Sequence, residues 1–161
     1  MIVIADSSPI IALINIGHIH LLPALFEEVI VPPQVAAELE RCRRPPSLRD
    51  FLAASPSWFR QRKPTSVEAI AALHDGESAA ISLARELGTD LLLIDETRGR
   101  KAATERGVAV TGTVGILELA ADKGLLDLAA AFTALKTTDF WISPALLDAR
   151  LRLHSARRKP R

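Results

Sequence analysis

Cysteine is almost missing from this chain. The single thiol, Cys42, excludes a disulfide within the chain and any zinc or iron–sulfur centre built from cysteines. Such sparing use fits a reducing compartment. Tyrosine is absent, and aromatic residues fill only 4% of the 161 positions. That argues against nucleic-acid binding by stacking bases on aromatic platforms. No apolar run approaches the ~18 residues of a membrane span. The opening residues carry no basic segment, and Asp6 cuts their apolar run short, so they do not read as a secretory signal. These absences predict a cytoplasmic protein with no membrane partner. Three common signatures are also missing: the Gly-x-x-x-x-Gly-Lys-Ser/Thr loop, Gly-x-Gly-x-x-Gly and the Gly-x-Ser-x-Gly elbow.

What is present is ordinary globular composition, 48% hydrophobic and 24% charged, at a length that suits one domain. The net charge of +1 is unevenly spread. Residues 1–149 hold all 19 acidic residues. The last twelve residues hold Arg150, Arg152, Arg157, Arg158, Lys159 and Arg161 and no acid. The sequence therefore predicts a domain over 1–149 and a basic tail over 150–161. Such a tail either contacts a polyanion or acidic partner or is a solvated terminus.

Ile2–Ala5, Val29–Val31 and Leu91–Ile94 read as buried parallel strands, because they are continuous apolar runs rather than alternating ones. Val108–Val110 is a shorter fourth, and Ser57–Arg60 a possible edge strand. Helical patterns fill Ser8–Ile16, Ile19–Phe26, Gln34–Cys42, Glu77–Leu87, Thr113–Lys123, Asp127–Lys136 and Pro144–Leu153. Strands alternating with helices predict an α/β fold, three layers α/β/α around a mostly parallel twisted sheet. The proline-rich stretch 43–66 reads as an excursion from that sheet.

Ligands of open parallel sheets bind beyond the carboxyl ends of the strands. Two predicted strands end there in acid, at Asp6 and at Asp95-Glu96. Each acid alone is often a turn residue or helix cap, but two at one edge point to a site. On the helix from Gln34, Val35, Leu39 and Cys42 form the apolar stripe. Glu38 lies beside that stripe, where a carboxylate needs a partner, while Glu40 lies on the wet side. Glu77 sits in a first helical turn behind Asp75. It either complements the helix dipole or faces Asp6 and Asp95. Several carboxylates at one edge repel one another unless a cation joins them. Oxygen ligands without Cys or nearby His select Mg²⁺ or Mn²⁺. One or two such ions activate water and neutralise a phosphodiester during attack.

At these residues the chain resembles the PIN-domain family of metal-dependent nucleases, most of all the compact prokaryotic members that include the virulence-associated type C toxins. The segments Ile2-Val3-Ile4-Ala5-Asp6-Ser7-Ser8-Pro9, Val31-Pro32-Pro33-Gln34-Val35-Ala36-Ala37-Glu38-Leu39, Asp75-Gly76-Glu77-Ser78-Ala79-Ala80-Ile81 and Leu91-Leu92-Leu93-Ile94-Asp95-Glu96 carry the resemblance, in the family's order. It implies a PIN-like α/β fold and metal-dependent endonucleolytic cleavage, usually of RNA. It implies Asp6, Glu38, Glu77 and Asp95 as ligands of Mg²⁺ or Mn²⁺, with Glu96 as an accessory group. The third slot lies between Asp75 and Glu77. Ser7 or Ser8 would hold a water or phosphate, unless they only cap the helix that starts there. Arg98, Arg100 and Lys101, after the fourth acid, and Arg41, Arg43 and Arg44, after the second, would grip the RNA backbone if they are not simply a solvated face. The resemblance further implies a small antitoxin partner and a possible homodimer; the apolar Ile10–Ile16 stretch is either an interface for it or part of the core. The alternatives are a PIN-like RNA- or protein-binding module, or an RNA-processing nuclease with no toxin role. His18, His20 and His74 lack ligand spacing and read as structural.

Overall fold

The computed structural model describes residues 1–42 and 45–158. In chain order the elements are β1 (Ile2–Ala5), α1 (Ser7–Asn15), α2 (Leu21–Leu25), β2 (Glu28–Val31), α3 (Pro33–Arg41), α4 (Pro46–Ala54), β3 (Phe59–Gln61), α5 (Asp75–Leu87), β4 (Leu91–Leu93), α6 (Thr97–Glu105), β5 (Val110–Thr111), α7 (Thr113–Asp122), α8 (Leu128–Lys136) and α9 (Pro144–Arg158). The strands form one parallel sheet in the order β3-β2-β1-β4-β5. Val3, Ile4 and Ala5 are all fully buried although successive side chains point to opposite faces, so both faces of β1 are covered. The expected three-layer α/β/α fold is what the chain adopts.

The strand order fixes where a site lies. From β1 the chain moves outward through β2 to β3. It then crosses back to β4, on the other side of β1, and continues to β5. Right-handed crossovers running in opposite directions place their helices on opposite faces of the sheet. The crevice between β1 and β4 is therefore the topological switch point, where such sheets bind ligands beyond the strand ends. Asp6 follows β1 and Asp95 lies two residues beyond β4.

Several sequence expectations are corrected. Val108 belongs to a helix end rather than a strand. Its N–H donates to the Ala103 carbonyl and that of Gly107 to Thr104, closing α6 with Gly107 at φ 76° in a left-handed helix stop. The stretch 43–66 contains a helix, α4, which buries Leu48 and is tied to β3 by the Phe51, Trp58 and Phe59 ring cluster. Of the two readings open for Ile10–Ile16, core holds for Ile10, Ala12, Leu13 and Ile14, which are buried. The boundary at residue 150 falls inside α9, which runs on to Arg158. Arg150 grips Glu118 of α7 with both ends of its guanidinium at 2.7–3.1 Å, and His154 lies 3.3 Å from Asp122. Residues 150–158 are thus part of the fold, and the Arg150 charge is neutralised within it. Arg43, Arg44, Lys159 and Arg161 lie outside the described residues.

Candidate active site

In a parallel sheet each helix that follows a strand begins at the carboxyl edge. The N-termini of α1, α6 and α7 come to this edge for that reason, and α5, entering the crossover, brings its first turn there too. Each presents free N–H groups and the positive end of a helix dipole, which favours anionic groups nearby. The acids of the sequence analysis lie among these helix starts.

Asp6 is the N-cap residue of α1 and makes no side-chain cap bond. It is 4% exposed, and its Oδ1 has no hydrogen-bond partner. Burial pushes its pKa from 3.8 to about 7, with Glu38, Glu77 and Asp95 adding repulsion and the Ser7 backbone N–H opposing it. The other three predicted ligands are therefore its electrostatic neighbours. Glu38, half-buried on α3, accepts the Ser7 hydroxyl at 2.8 Å. Glu77, in the first turn of α5, is 6% exposed with Oε2 unpartnered. Burial raises its pKa; Glu96 and Glu38 push the same way, while His74 opposes them. Asp95 differs from the expectation of a carboxylate open to a cation. Its two oxygens accept the backbone N–H and the hydroxyl of Thr113, both at 2.7 Å. Burial raises its pKa, and these bonds and Arg100 pull it back. Glu96 caps α6 by accepting the Gly99 N–H at 2.9 Å, which leaves it beside Glu77 but committed to the helix.

Of the two residues open for the third slot, Glu77 faces the acids. Asp75 is exposed and lines a separate cavity with Gln34 and Ser78. Of the basic residues, Arg100 lies near Asp95, Arg98 is exposed, and Lys101 is 4.0 Å from Glu105, one turn along its own helix. Ser8 is half-buried one residue beyond Ser7.

Three glycines and a threonine were not foreseen as site residues. A Cβ on Gly76 would strike the Glu38 carboxylate. One on Gly99 would lie 2.9 Å from Glu77 Oε2, and one on Gly112 would lie 2.5 Å from Asp95 Oδ1. Each acid is thus met at close range by the backbone of a neighbouring helix start, an approach only glycine allows. The sequence holds a faint signal for the last pair: Thr111-Gly112-Thr113 puts a glycine and hydroxyls between a strand and a helix. His74, read as structural, supplies the N-cap of α5, and its backbone N–H reaches the Glu77 carboxylate.

The donor set fits a hard divalent cation. Two carboxylate oxygens from separate segments are buried without partners, and carboxylates near a cation need no other donor. Among the described residues no three of the acids stand close enough to form a finished coordination shell.

Comparison with known proteins agrees with this geometry. No curated protein matches the chain in sequence. Among solved structures it is similar to a PilT N-terminus domain protein, SSO1118, of the hyperthermophilic archaeon Sulfolobus solfataricus P2, with a TM-score of 0.55. The similarity covers 72% of this chain and 90% of that one at 17% identity, which shows a shared fold. The family model DUF3368, described as a PIN domain, matches residues 2–156, through most of α9. A buried acidic edge at the switch point of a five-stranded parallel sheet, matched over almost its whole length, places this chain in the PIN-domain family.

Proposed function

We propose that the chain is an endoribonuclease that hydrolyses RNA phosphodiester bonds with Mg²⁺ or Mn²⁺, and that it serves as the toxin of a toxin–antitoxin pair. The observation that carries this reading is the pair of buried, unpartnered carboxylate oxygens, Asp6 Oδ1 and Glu77 Oε2, at the switch point. Orphaned buried polar atoms are rare. Acceptors that repel one another are reconciled by a cation. Asp6, Glu38, Glu77 and Asp95 would hold it. Each carboxylate oxygen has more than one lone-pair site, so Thr113 does not exhaust Asp95. When bound, the ion lowers the pKa of a water and neutralises phosphodiester charge.

The chain's own residues do the rest. Ser7 holds Glu38 and Thr113 holds Asp95 by the bonds described above, fixing the direction of both carboxylates. Asp6 keeps a proton on its carboxyl below about pH 7. Glu96 acts from outside Glu77. The four helix starts favour phosphate at the edge, with Ser8 near for a water or phosphate oxygen. Arg98, Arg100 and Lys101 on α6 supply backbone contacts that give affinity without sequence readout. A small antitoxin fits the same edge if it places an Arg or Lys among the carboxylates in the cation's stead.

A mixed RNA pool incubated with Mn²⁺ should be cut, and EDTA should stop the cutting. Equal products in both would overturn the cation mechanism. Expression alone should arrest growth, and co-expression of the neighbouring gene product should restore it. Harmless expression together with metal-dependent cutting would leave an RNA-processing nuclease. The lack of a finished coordination shell favours a second reading, a PIN-like RNA- or protein-binding module. That module would bind RNA equally well with and without EDTA.

A further inference from the structure

Glu77, whose Oε2 is buried without a partner, is enclosed by three elements. It rides on α5, the His74 N–H at the end of segment 62–74 reaches its carboxylate, and the Gly99 backbone of α6 closes on Oε2. Where the carboxylate stands therefore depends on how segment 62–74, α5 and α6 sit together. One residue outside the acid cluster joins all three.

That residue is Glu68. Its Oε1 accepts Arg106 Nη2 at 2.7 Å and its Oε2 accepts Arg106 Nε at 3.0 Å, a two-pronged grip on the residue that ends α6. Arg106 is tied back to α6 through Nη1, which donates to the Ala102 carbonyl at 3.0 Å. Arg85 of α5 donates to Glu68 Oε2 at 3.2 Å. The Glu68 N–H donates to the Ser82 hydroxyl, also on α5, at 3.0 Å. Ser82 and Arg85 stand about 8 and 12 Å along the helix from Glu77. Glu68 therefore acts on Glu77 only through the elements it joins.

Segment 62–74 transmits the hold. It has no helix or strand, yet it runs back along α5 from the last turn to the first. Glu86 accepts both the N–H and the hydroxyl of Thr65 at 2.7 Å, and Ser78 Oγ accepts the Ile70 N–H at 3.3 Å. Ile70 and Leu73 pack against the core. Ala72 takes φ 65°, a left-handed conformation unfavourable for alanine. Such a residue persists where its neighbours over-determine it. Here the fastened segment lies before it, and the first turn of α5, opened by His74, lies after. The side chains of Glu68 and Arg85 are exposed and that of Arg106 is partly so. Exposed ion pairs add little stability, but a forked arginine–carboxylate pair fixes direction.

We infer that Glu68 is a positioning residue of the acidic edge, holding segment 62–74, α5 and α6 in the arrangement that places the Glu77 carboxylate. This role rests on the proposed cation site, so the test also reads the metal-free chain. Amide spectra, melting temperature, calorimetric Mn²⁺ affinity and RNA cleavage are compared for the full chain, Glu68→Gln, Arg106→Lys and Glu105→Gln. Arg106→Lys keeps the charge and loses the fork. Glu105→Gln removes an exposed acid that sits 4.0 Å from Lys101 on its own helix. Glu68→Gln and Arg106→Lys should both shift the metal-free amide signals of residues 74–77. Both should weaken Mn²⁺ binding roughly tenfold and lower kcat with KM for RNA unchanged, at melting temperatures near the parent's. Glu105→Gln should do none of this. Unmoved signals at residues 74–77, or parental Mn²⁺ affinity in both variants, would overturn the role. So would a loss in Glu68→Gln that Arg106→Lys does not share, since charge alone would then be its cause. Moved signals and weakened Mn²⁺ binding without any cutting sink the nuclease and keep Glu68. Parental cutting with unmoved signals sinks Glu68 and keeps the nuclease. A full chain that binds no Mn²⁺ sinks the cation site, and the signals of residues 74–77 then decide for or against Glu68.

Discussion

Asp6 is held where its charge is least favoured, and the consequence is a stability that depends on pH. Its pKa is 3.8 when unfolded and about 7 when folded. Between those values the folded state binds more protons, so stability falls as pH rises from about 4 to 7 and levels off above. The full difference is about 4 kcal/mol. Asp6→Asn should therefore raise the melting temperature clearly at pH 8 and hardly at pH 4. An equal gain at both would refute the assignment. The same variant should abolish cleavage, because Asn keeps the shape and loses the charge. Gly76→Ala should cost at least tenfold in cleavage rate, since the new methyl displaces the Glu38 carboxylate; a fully active variant would show that this carboxylate is not needed where it stands. Asp6 and Asp95 were legible in the sequence because an acid ending an apolar strand is a local pattern. Gly76 and Thr113 were not, because their roles are contacts with residues 38 and 18 positions away. No window of sequence holds both members of either pair.

The helices show the same division between local and distant causes. The phase of α3 was readable, since Val35 and Leu39 are buried, Glu38 reaches Ser7 and Glu40 is exposed. Glu38→Gln should lose most cleavage activity and Glu40→Gln should keep it. The reverse result would put the second acid on the wrong residue. By contrast, α6 escaped the sequence reading because its buried face is Gly99, Ala102 and Ala103, too small to make an apolar stripe. The helical continuation of α9 was hidden by its arginines, whose purpose appears only against α7. Glu118 is 9% exposed at its side chain and receives three bonds from Arg150. Arg150→Ala removes all three bonds and leaves that carboxylate only Arg157, 3.8 Å away, at a cost of about 1–3 kcal/mol, or a drop of several degrees in melting temperature. A melting curve identical to the parent's would show that α9 needs no such clamp.

Across the whole molecule, strand order turns scattered acids into one site. Asp6, Glu38, Glu77 and Asp95 come from four segments, and the reversal of direction between β1 and β4 is what gathers them. Alternating strands and helices made the parallel sheet predictable, but the position of β4 beside β1 is a long-range fact that pattern alone does not contain. Among the described residues no helix is long and apolar enough to cross a membrane. The gathered charge leads to the most direct test, calorimetric titration of Mn²⁺ into the wild-type chain and Asp6→Asn at pH 6 and pH 8. Wild type should bind at both, more tightly at pH 8, and should release a proton at pH 6 because Asp6 is protonated there. Asp6→Asn should bind at least tenfold more weakly at pH 8, with less change between the two pH values. Wild-type affinity that is absent, or that Asp6→Asn retains in full, would contradict a cation site at this edge.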